Sequence, residues 1–417
     1  MSRAPRAPAA PTDAAALARA YECVALVLQG GGALGAYQCG VYEALHEAGI
    51  RPGWFAGTSI GAINAAILAG NAPEHRVDRL REFWETICEP AGVLGWPFQA
   101  FAAGAAWLPP SLGLDTGLAA LSALGALAHG QRGFFTPRLV PPFAYCDGSP
   151  AATSFYDTTP LEATLERLVD FDRINEGDTR LSIGAVALGT GNVRYFDSAN
   201  EPIRAAHVIA SGALPPAFPA IEIDGESYWD GGLVSNTPLD HVLGAQPRRD
   251  ALVLQVDLWS ARGAVPRSMM DVLERQKDIQ YSSRTRFGTD TVARMQKLRN
   301  AIGRLIERLP DQRLPDALAR DLEPWLCDRV FNIVHLIYQA KHHEEQYKDY
   351  AFGPAAMREH WSAGRLDMTQ SLAEPRFFEM PERSLGVVTH DIHRIGLDAP
   401  PAAARAQRPM QATTEEP

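Results

Sequence analysis

Ser59 is the residue whose local sequence best fits a nucleophile. It lies at the centre of Gly57-Thr58-Ser59-Ile60-Gly61, a Gly-x-Ser-x-Gly pattern, with a short apolar run before it and small residues after it. A strand, a sharp turn and a helix are the context in which this pattern exposes a serine hydroxyl beside a helix N-terminus. The alternative is a glycine-rich turn in which a Ser or Thr caps the helix. The pattern alone is consistent with both.

A glycine-rich loop, residues 29–35, lies between a predicted strand at 24–28 and a predicted helix at 36–48. Its glycines are Gly30, Gly31, Gly32 and Gly35. The spacing also fits the dinucleotide fingerprint, but that fingerprint needs an acidic residue at the end of the second strand, where this chain has Ala56 and then the serine turn. We therefore favour an oxyanion hole, in which bare backbone N–H groups stabilise negative charge beside Ser59.

The elements around these loops predict the fold class. Strands and helices alternate through the first 70 residues, which indicates an α/β fold with a largely parallel central sheet. Residues 221–229 alternate around Asp224-Gly225, a hairpin signal, and the second strand leads into Asp230-Gly231-Gly232. A late strand is expected at 330–338.

The composition bounds the classes of function. The chain has 417 residues, of which 46% are hydrophobic and 21% charged, as in a globular protein with a sizeable core. Its formal net charge of −10 argues against nucleic acid as a partner. The five cysteines are scattered without a Cys-x-x-Cys pair, which favours reduced thiols in a cytoplasm. We recognise neither a secretory signal nor a run long enough to cross a bilayer.

Changes in composition along the chain predict its organisation. The insertion at 90–131 is almost uncharged, so it is either core cover or an apolar lid over the site. Residues 291–309 predict a basic amphipathic helix that lies on an anionic membrane or on the protein's own acidic surface. The expected divisions are a flexible tail (1–21), a catalytic domain (22–260) containing the insertion, a mainly helical accessory region (261–397) and a disordered tail (398–417).

Three elements in chain order resemble those of the patatin-like phospholipases. They are Gly30-Gly31-Gly32-x-x-Gly35, Gly57-x-Ser59-x-Gly61 and Asp230-Gly231-Gly232. Residues 210–219 resemble the family's link before the aspartate. The resemblance covers about residues 22–260, and residues from about 262 to 395 look like the accessory region of a bacterial branch of the family. It implies a three-layer α/β/α fold.

The resemblance also implies a reaction. Ser59 would be the nucleophile and Asp230 its base in a Ser-Asp dyad, with the N–H groups of Gly30, Gly31 and Gly32 as the oxyanion hole. The substrate would be a phospholipid or another acyl ester, cleaved without a metal or cofactor in the cytoplasm or at the inner face of a membrane. The family often carries Arg or Lys at the position of Leu34, so any charge-assisted support of the oxyanion is in doubt.

Other functions stay open from the sequence. The order Ser59, Asp230, His241 also fits an esterase with a catalytic triad, and a lipid-binding protein without activity could keep the same fold. A metal site at His342-His343-Glu344-Glu345 is disfavoured because consecutive residues on a helix point in different directions.

Overall fold

The computed structural model describes residues 13–89, 129–282, 285–308, 316–322, 326–339 and 348–394. Within these ranges the strands are β1 (Cys23–Leu28), β2 (Trp54–Thr58), β3 (Thr136–Pro137), β4 (Tyr156–Asp157), β5 (Arg180–Ala187), β6 (Val193–Asp197), β7 (Ile221–Ile223), β8 (Glu226–Asp230), β9 (Ala251–Asp257), β10 (Phe331–Ile337) and β11 (Val387–Asp391). The helices are α1 (Asp13–Ala18), α2 (Ala36–Ala48), α3 (Ile60–Ala69), α4 (Arg76–Cys88), α5 (Pro150–Thr153), α6 (Thr159–Leu168), α7 (Phe171–Glu176), α8 (Ala205–Ser211), α9 (Leu239–Gly244), α10 (Met269–Tyr281), α11 (Thr285–Glu307), α12 (Asp316–Leu322) and α13 (Pro354–Leu372).

One large sheet organises the described residues. Its strand order is β11-β10-β9-β1-β2-β5-β8-β7, with β6 also paired to β5. From β11 to β5 every neighbouring pair is parallel, whereas β6, β7 and β8 run antiparallel to their neighbours. The predicted hairpin is present, and both Asp224 and Gly225 have the positive φ angles that a tight turn of this kind needs. The predicted largely parallel α/β fold is confirmed.

Alternate residues of β1 point into two different cores. Leu26 and Leu28 belong to the larger core, to which α2, α3, α4 and α13 also contribute. Ala25 and Val27 face the other way, into a smaller core with residues of α9 and with Val292 of α11 packed against it. Helices therefore cover both faces of the sheet, which is the expected three-layer arrangement.

The C-terminal region extends the same sheet rather than forming a second one. β10 pairs with β9 along its full length, β11 pairs with β10, and α13 packs on α2. The strand expected at 330–338 is confirmed as β10, and the boundary expected near residue 260 divides a continuous sheet. A flexible tail was expected over 1–21, but its described part, residues 13–21, contains α1, in which Ala14, Ala15 and Ala18 are buried.

Several predicted segments lie outside the residues that the structure describes. The insertion predicted at 90–131 lies outside the described residues except for 129–131, and so do His342–Glu345 and the tail from 398. Among the described residues, no helix combines the length and apolarity that crossing a membrane requires.

Two glycines set how closely α2 and α13 approach. A Cβ atom at Gly40 would overlap the Trp361 carbonyl oxygen, and one at Gly364 would overlap the Tyr37 carbonyl oxygen. The two backbones therefore touch, and larger side chains at these positions would force the helices apart.

We predict that Gly40→Ala and Gly364→Ala each destabilise the protein by about 1–3 kcal/mol, because overpacking a close helix contact displaces backbone. Thermal unfolding would measure the loss. Gly303→Ala in α11 is the matched control, since its new Cβ would meet nothing within 4 Å and alanine favours helix. Equal melting temperatures for all three variants would show that the contact tolerates a methyl group.

Candidate active site

The ends of two strands meet on β5. Ala185 and Val186 of β5 pair with β6 and β8 at once, so these two strands lie on opposite edges of β5. β2 lies on the same edge of β5 as β8. This follows because β6 occupies the other edge of β5 along the residues that pair with β2. β2 ends with Thr58 opposite Gly184, and β8 arrives from the other direction and ends with Asp230 opposite Ala185. The residue after β2 is therefore brought to the last residue of β8.

Ser59 occupies the sharp turn between β2 and α3. Its φ and ψ angles are 56° and −126°, a conformation that is costly for a residue with a side chain. The flanking glycines allow the chain to turn this tightly, because a Cβ at Gly57 would overlap the Gly61 carbonyl. The strand-turn-helix context predicted for Ser59 is confirmed, and its hydroxyl lies beside the N-terminus of α3.

Ser59 and Asp230 are in direct contact. The Ser59 hydroxyl donates a hydrogen bond of 2.7 Å to Asp230 Oδ2, and Oδ1 accepts one of 2.7 Å from the Gly232 N–H. Asp230 is only 2% exposed. Burial raises the pKa of Asp230 to about 6, although its two hydrogen bonds oppose the rise. A serine hydroxyl bonded to a carboxylate of this kind can be activated for attack on a carbonyl carbon.

A second serine, the buried Ser211, holds the Ser59 turn in place through two hydrogen bonds. The Ser59 N–H donates to Ser211 Oγ at 2.9 Å, and the Ser211 hydroxyl donates to the Gly184 carbonyl at 2.6 Å. Ser211 ends α8, so this helix ties the turn to β5. Only the resemblance of residues 210–219 to the family link pointed to this region, and nothing in the sequence identified the bond that Ser211 makes.

The glycine-rich loop lies against the serine turn. A Cβ at Gly30 would come within 2.9 Å of Ser59 Cβ. The Gly30 N–H donates to the Asn236 carbonyl at 3.1 Å, and the Ala33 N–H donates to the Asp349 carbonyl at 2.9 Å. Among the described residues, the N–H groups of Gly31 and Gly32 have no hydrogen-bond partner. Gly30, Gly31 and Gly32 were all expected to donate to an oxyanion. Because the Gly30 N–H already has an acceptor, only the N–H groups of Gly31 and Gly32 remain as candidate donors.

The other glycines of the motifs also lie at close contacts. Added Cβ atoms there would press on Ile60 and Trp84 from Gly35, on the Leu28 carbonyl from Gly61, on the Gly184 carbonyl from Gly231, and on Asn236 from Gly232. The three motifs are thus packed against one another around Ser59.

His241 is not part of this arrangement. Its Nε2 lies 2.8 Å from Asp197 Oδ2, and its ring stacks on Tyr195. Asp197 pairs with Ser182, whereas Asp230 pairs with Ala185, which is about 10 Å further along β5 at the usual rise per residue. The same Asp197 also binds Arg180. His241 therefore belongs to a separate polar cluster around Asp197, nearer the start of β5 than Asp230 is.

Metal ligation is one possibility for a site of this kind. Within the described ranges, no group of three or more His, Cys, Asp or Glu side chains is placed to bind a metal ion.

Two residues that the sequence did not single out hold the glycine-rich loop. Asn236 and Trp259 both donate to the Gly30 carbonyl, at 3.0 and 2.9 Å. Asn236 follows Asp230 by one short turn, but its side-chain contacts could not be deduced from that spacing.

Comparisons with curated proteins find short regions of similarity. The chain is 35% identical over 88 residues to patatin-like phospholipase domain-containing protein 6 of Homo sapiens, covering 20% of this chain and 6% of that protein. It is 57% identical over 49 residues to lysophospholipase nte1 of Aspergillus terreus, covering 12% of this chain and 3% of that protein. The matched regions are thus a small fraction of the length of these relatives.

Among solved structures, VipD from Legionella pneumophila aligns over 84% of this chain and 67% of its own, with 16% identity and a TM-score of 0.36. Two family models match directly. One, described as patatin phospholipase, covers residues 279–384, and the other, described as patatin-like phospholipase, covers residues 26–243. Since the second spans more than half of the sequence and contains Ser59 and Asp230, the chain belongs to the patatin-like phospholipase family.

Proposed function

We propose that this chain is a serine hydrolase of lipid carboxylic esters, of the phospholipase A or lysophospholipase type, that uses a Ser59–Asp230 dyad. The observation that carries the proposal is the 2.7 Å hydrogen bond from the Ser59 hydroxyl to a buried carboxylate. Ser59 lies in a strained turn, beside two glycine N–H groups that have no partner among the described residues. Family membership supports a lipid ester as the substrate class.

The first half of the proposed reaction forms an acyl-enzyme. Ser59 Oγ attacks the ester carbonyl carbon while its proton passes to Asp230 Oδ2. The negative charge that develops on the carbonyl oxygen is stabilised by the N–H groups of Gly31 and Gly32, with the N-terminus of α3 nearby. The tetrahedral intermediate then collapses, the bond to the leaving alcohol breaks, and Asp230 returns the proton to that alcohol's oxygen.

The second half regenerates the enzyme. A water molecule gives a proton to Asp230 and attacks the acyl carbonyl, the same N–H groups stabilise the oxyanion, and the acyl chain leaves as a carboxylic acid with the proton returned to Ser59. A pKa of about 6 suits Asp230 to both directions, since it is ionised near neutral pH yet holds a proton more readily than an ordinary aspartate.

One prediction from the proposed function concerns the dyad. Ser59→Ala and Asp230→Asn should each lower ester hydrolysis by roughly three orders of magnitude or more, and the double variant should be no worse, because residues acting as one unit are not additive. Hydrolysis of a soluble short-chain ester and labelling by a fluorophosphonate would measure the loss.

His241→Gln is the control for the dyad. Because His241 binds Asp197, this variant should keep most of the activity, provided that circular dichroism shows it folded. A folded but inactive His241→Gln protein would favour the triad, and a folded Ser59→Ala protein with full activity would exclude the proposed chemistry.

Another prediction concerns the pH dependence of the rate. Asp230 accepts a proton only when ionised, so kcat/KM for an uncharged ester should be half-maximal near pH 6 and should fall about tenfold per pH unit below it. Above pH 7 it should be level. A pH-rate profile would test this, and a rate that stays level down to pH 4.5 would contradict Asp230 as the base.

We further propose that the protein meets its substrate at a membrane surface through α11. In this helix Leu298 and Leu305 are 53% and 65% exposed. Basic side chains are exposed on the same helix and at its C-terminal end, namely Arg294, Lys297, Arg304 and Arg308. Exposed leucines beside basic residues favour adsorption to anionic lipid.

The prediction from this surface is a salt-dependent affinity for anionic vesicles. Changing Arg294 and Lys297 together to Gln should weaken co-sedimentation by about 1 kcal/mol per residue at low salt. The control changes two exposed arginines elsewhere, Arg173 and Arg376, to Gln and so alters net charge equally. Binding that ignores salt, or equal weakening in the control, would argue against α11 as the contact.

A further inference from the structure

Three of the four polar groups in the two peptide units around Gly30 are held by hydrogen bonds, and the fourth is the Gly31 N–H. The Gln29 carbonyl accepts from Gln38 Nε2 at 2.6 Å, and the Gly30 N–H donates to the Asn236 carbonyl at 3.1 Å. The Gly30 carbonyl accepts two hydrogen bonds, from Asn236 Nδ2 at 3.0 Å and from Trp259 Nε1 at 2.9 Å. Both of its lone-pair directions are therefore used.

This carbonyl shares a peptide unit with the Gly31 N–H. In a trans peptide the C=O and N–H bonds point in opposite directions, so fixing one fixes the other. Glycine backbones rotate more freely than any other, and a run of three glycines has no side chain to hold its peptide planes. A rotation of the Gly30–Gly31 unit would turn the Gly31 N–H away, and it would also break two hydrogen bonds.

We propose that Asn236 and Trp259 are positioning residues that aim the Gly31 N–H at the oxyanion by holding the Gly30 carbonyl. The inference rests on the proposed function, in which Gly31 is one of two oxyanion donors. Neither side chain needs to touch the substrate, because both act through the glycine loop.

Both positioning residues are themselves held. Asn236 Nδ2 also donates to the Tyr281 carbonyl at 2.9 Å, at the end of α10. Trp259 is 3% exposed, and its ring lies 5.4 Å from that of Tyr281. The Gln29 side chain accepts from the Leu258 and Trp259 N–H groups, at 2.6 and 2.9 Å. The amide and the indole therefore have fixed directions.

Asn236 also links the glycine-rich loop to Asp230, the proposed base. It lies at the end of the turn that begins with Asp230, and this turn is closed by the Ser235 N–H, which donates to the Gly231 carbonyl at 2.9 Å. One short turn thus carries the carboxylate at its start and the orienting amide at its end, so both depend on the same backbone.

Trp259→Phe and Asn236→Ala test the proposal. Trp259→Phe removes one N–H and keeps a ring, and Asn236→Ala removes the amide. Each should lower kcat on a soluble short-chain ester by about 10- to 100-fold with KM nearly unchanged, since loss of an oxyanion donor acts on the transition state. Affinity for a lipophilic trifluoromethyl ketone, whose adduct with Ser59 carries an oxyanion, should fall by a similar factor.

Trp54→Phe is the matched control. Trp54 is also buried and also loses one indole hydrogen bond, to Ser182 Oγ at 2.8 Å, but it lies away from the glycine loop. It should keep wild-type kcat and ketone affinity. The inflection near pH 6 should persist in the Trp259 and Asn236 variants, because Asp230 is unchanged.

The outcomes separate this inference from the dyad. Wild-type kcat in both variants, or reduced activity with wild-type ketone affinity in the folded fraction, would overturn the positioning role while leaving the dyad intact. Full activity of folded Ser59→Ala would instead remove the dyad itself, whatever the Asn236 and Trp259 variants do.

Discussion

The pairing of β2 and β8 along one edge of β5 is the constraint on which the site depends. Thr58 and Asp230 lie opposite neighbouring residues of β5, Gly184 and Ala185, so the strand ends face each other across a very short gap. A slip of one residue in either pairing would move a side chain by about 3.3 Å and turn it to the other face of the sheet. Ser211 secures the junction from below, by bonding to Ser59 and β5 at once.

Two buried aspartates close to this junction show how surroundings divide roles. Burial would raise the pKa of Asp197, but hydrogen bonds from His241, Arg180 and Ser182 hold it well below its ordinary value. Among the described residues, Asp230 receives hydrogen bonds only from a serine hydroxyl and one backbone N–H, so burial prevails and its pKa rises to about 6. Asp197 therefore stays charged and structural, whereas Asp230 can exchange a proton. Because the raised pKa disfavours the ionised form in the folded protein, the free energy of unfolding falls as the pH rises from the ordinary aspartate value of 3.8 to about 6.

The sequence was sufficient for the elements with strong local patterns. The parallel α/β fold, the hairpin around Asp224-Gly225 and the serine turn all follow from periodicity and turn residues, and the structure contains each of them. The contacts of Ser211, Asn236 and Trp259 could not be predicted, because they join residues that are far apart in the chain. The hydrogen bond of the Gly30 N–H was also missed, because its acceptor is a backbone carbonyl and such a group carries no residue-type signal.

The contacts of the C-terminal region with the glycine loop bear on when the site is complete during synthesis. Ser59 and Asp230 leave the ribosome well before the Tyr281 and Asp349 carbonyls that hold Asn236 and Ala33. β9 likewise stays an open sheet edge until β10 has been made. The chain therefore carries Ser59 and Asp230 for a long interval before the glycine-rich loop beside Ser59 has all of its hydrogen-bond partners. The geometry around Ser59 is therefore completed only after residue 349 has been made, more than a hundred residues after Asp230.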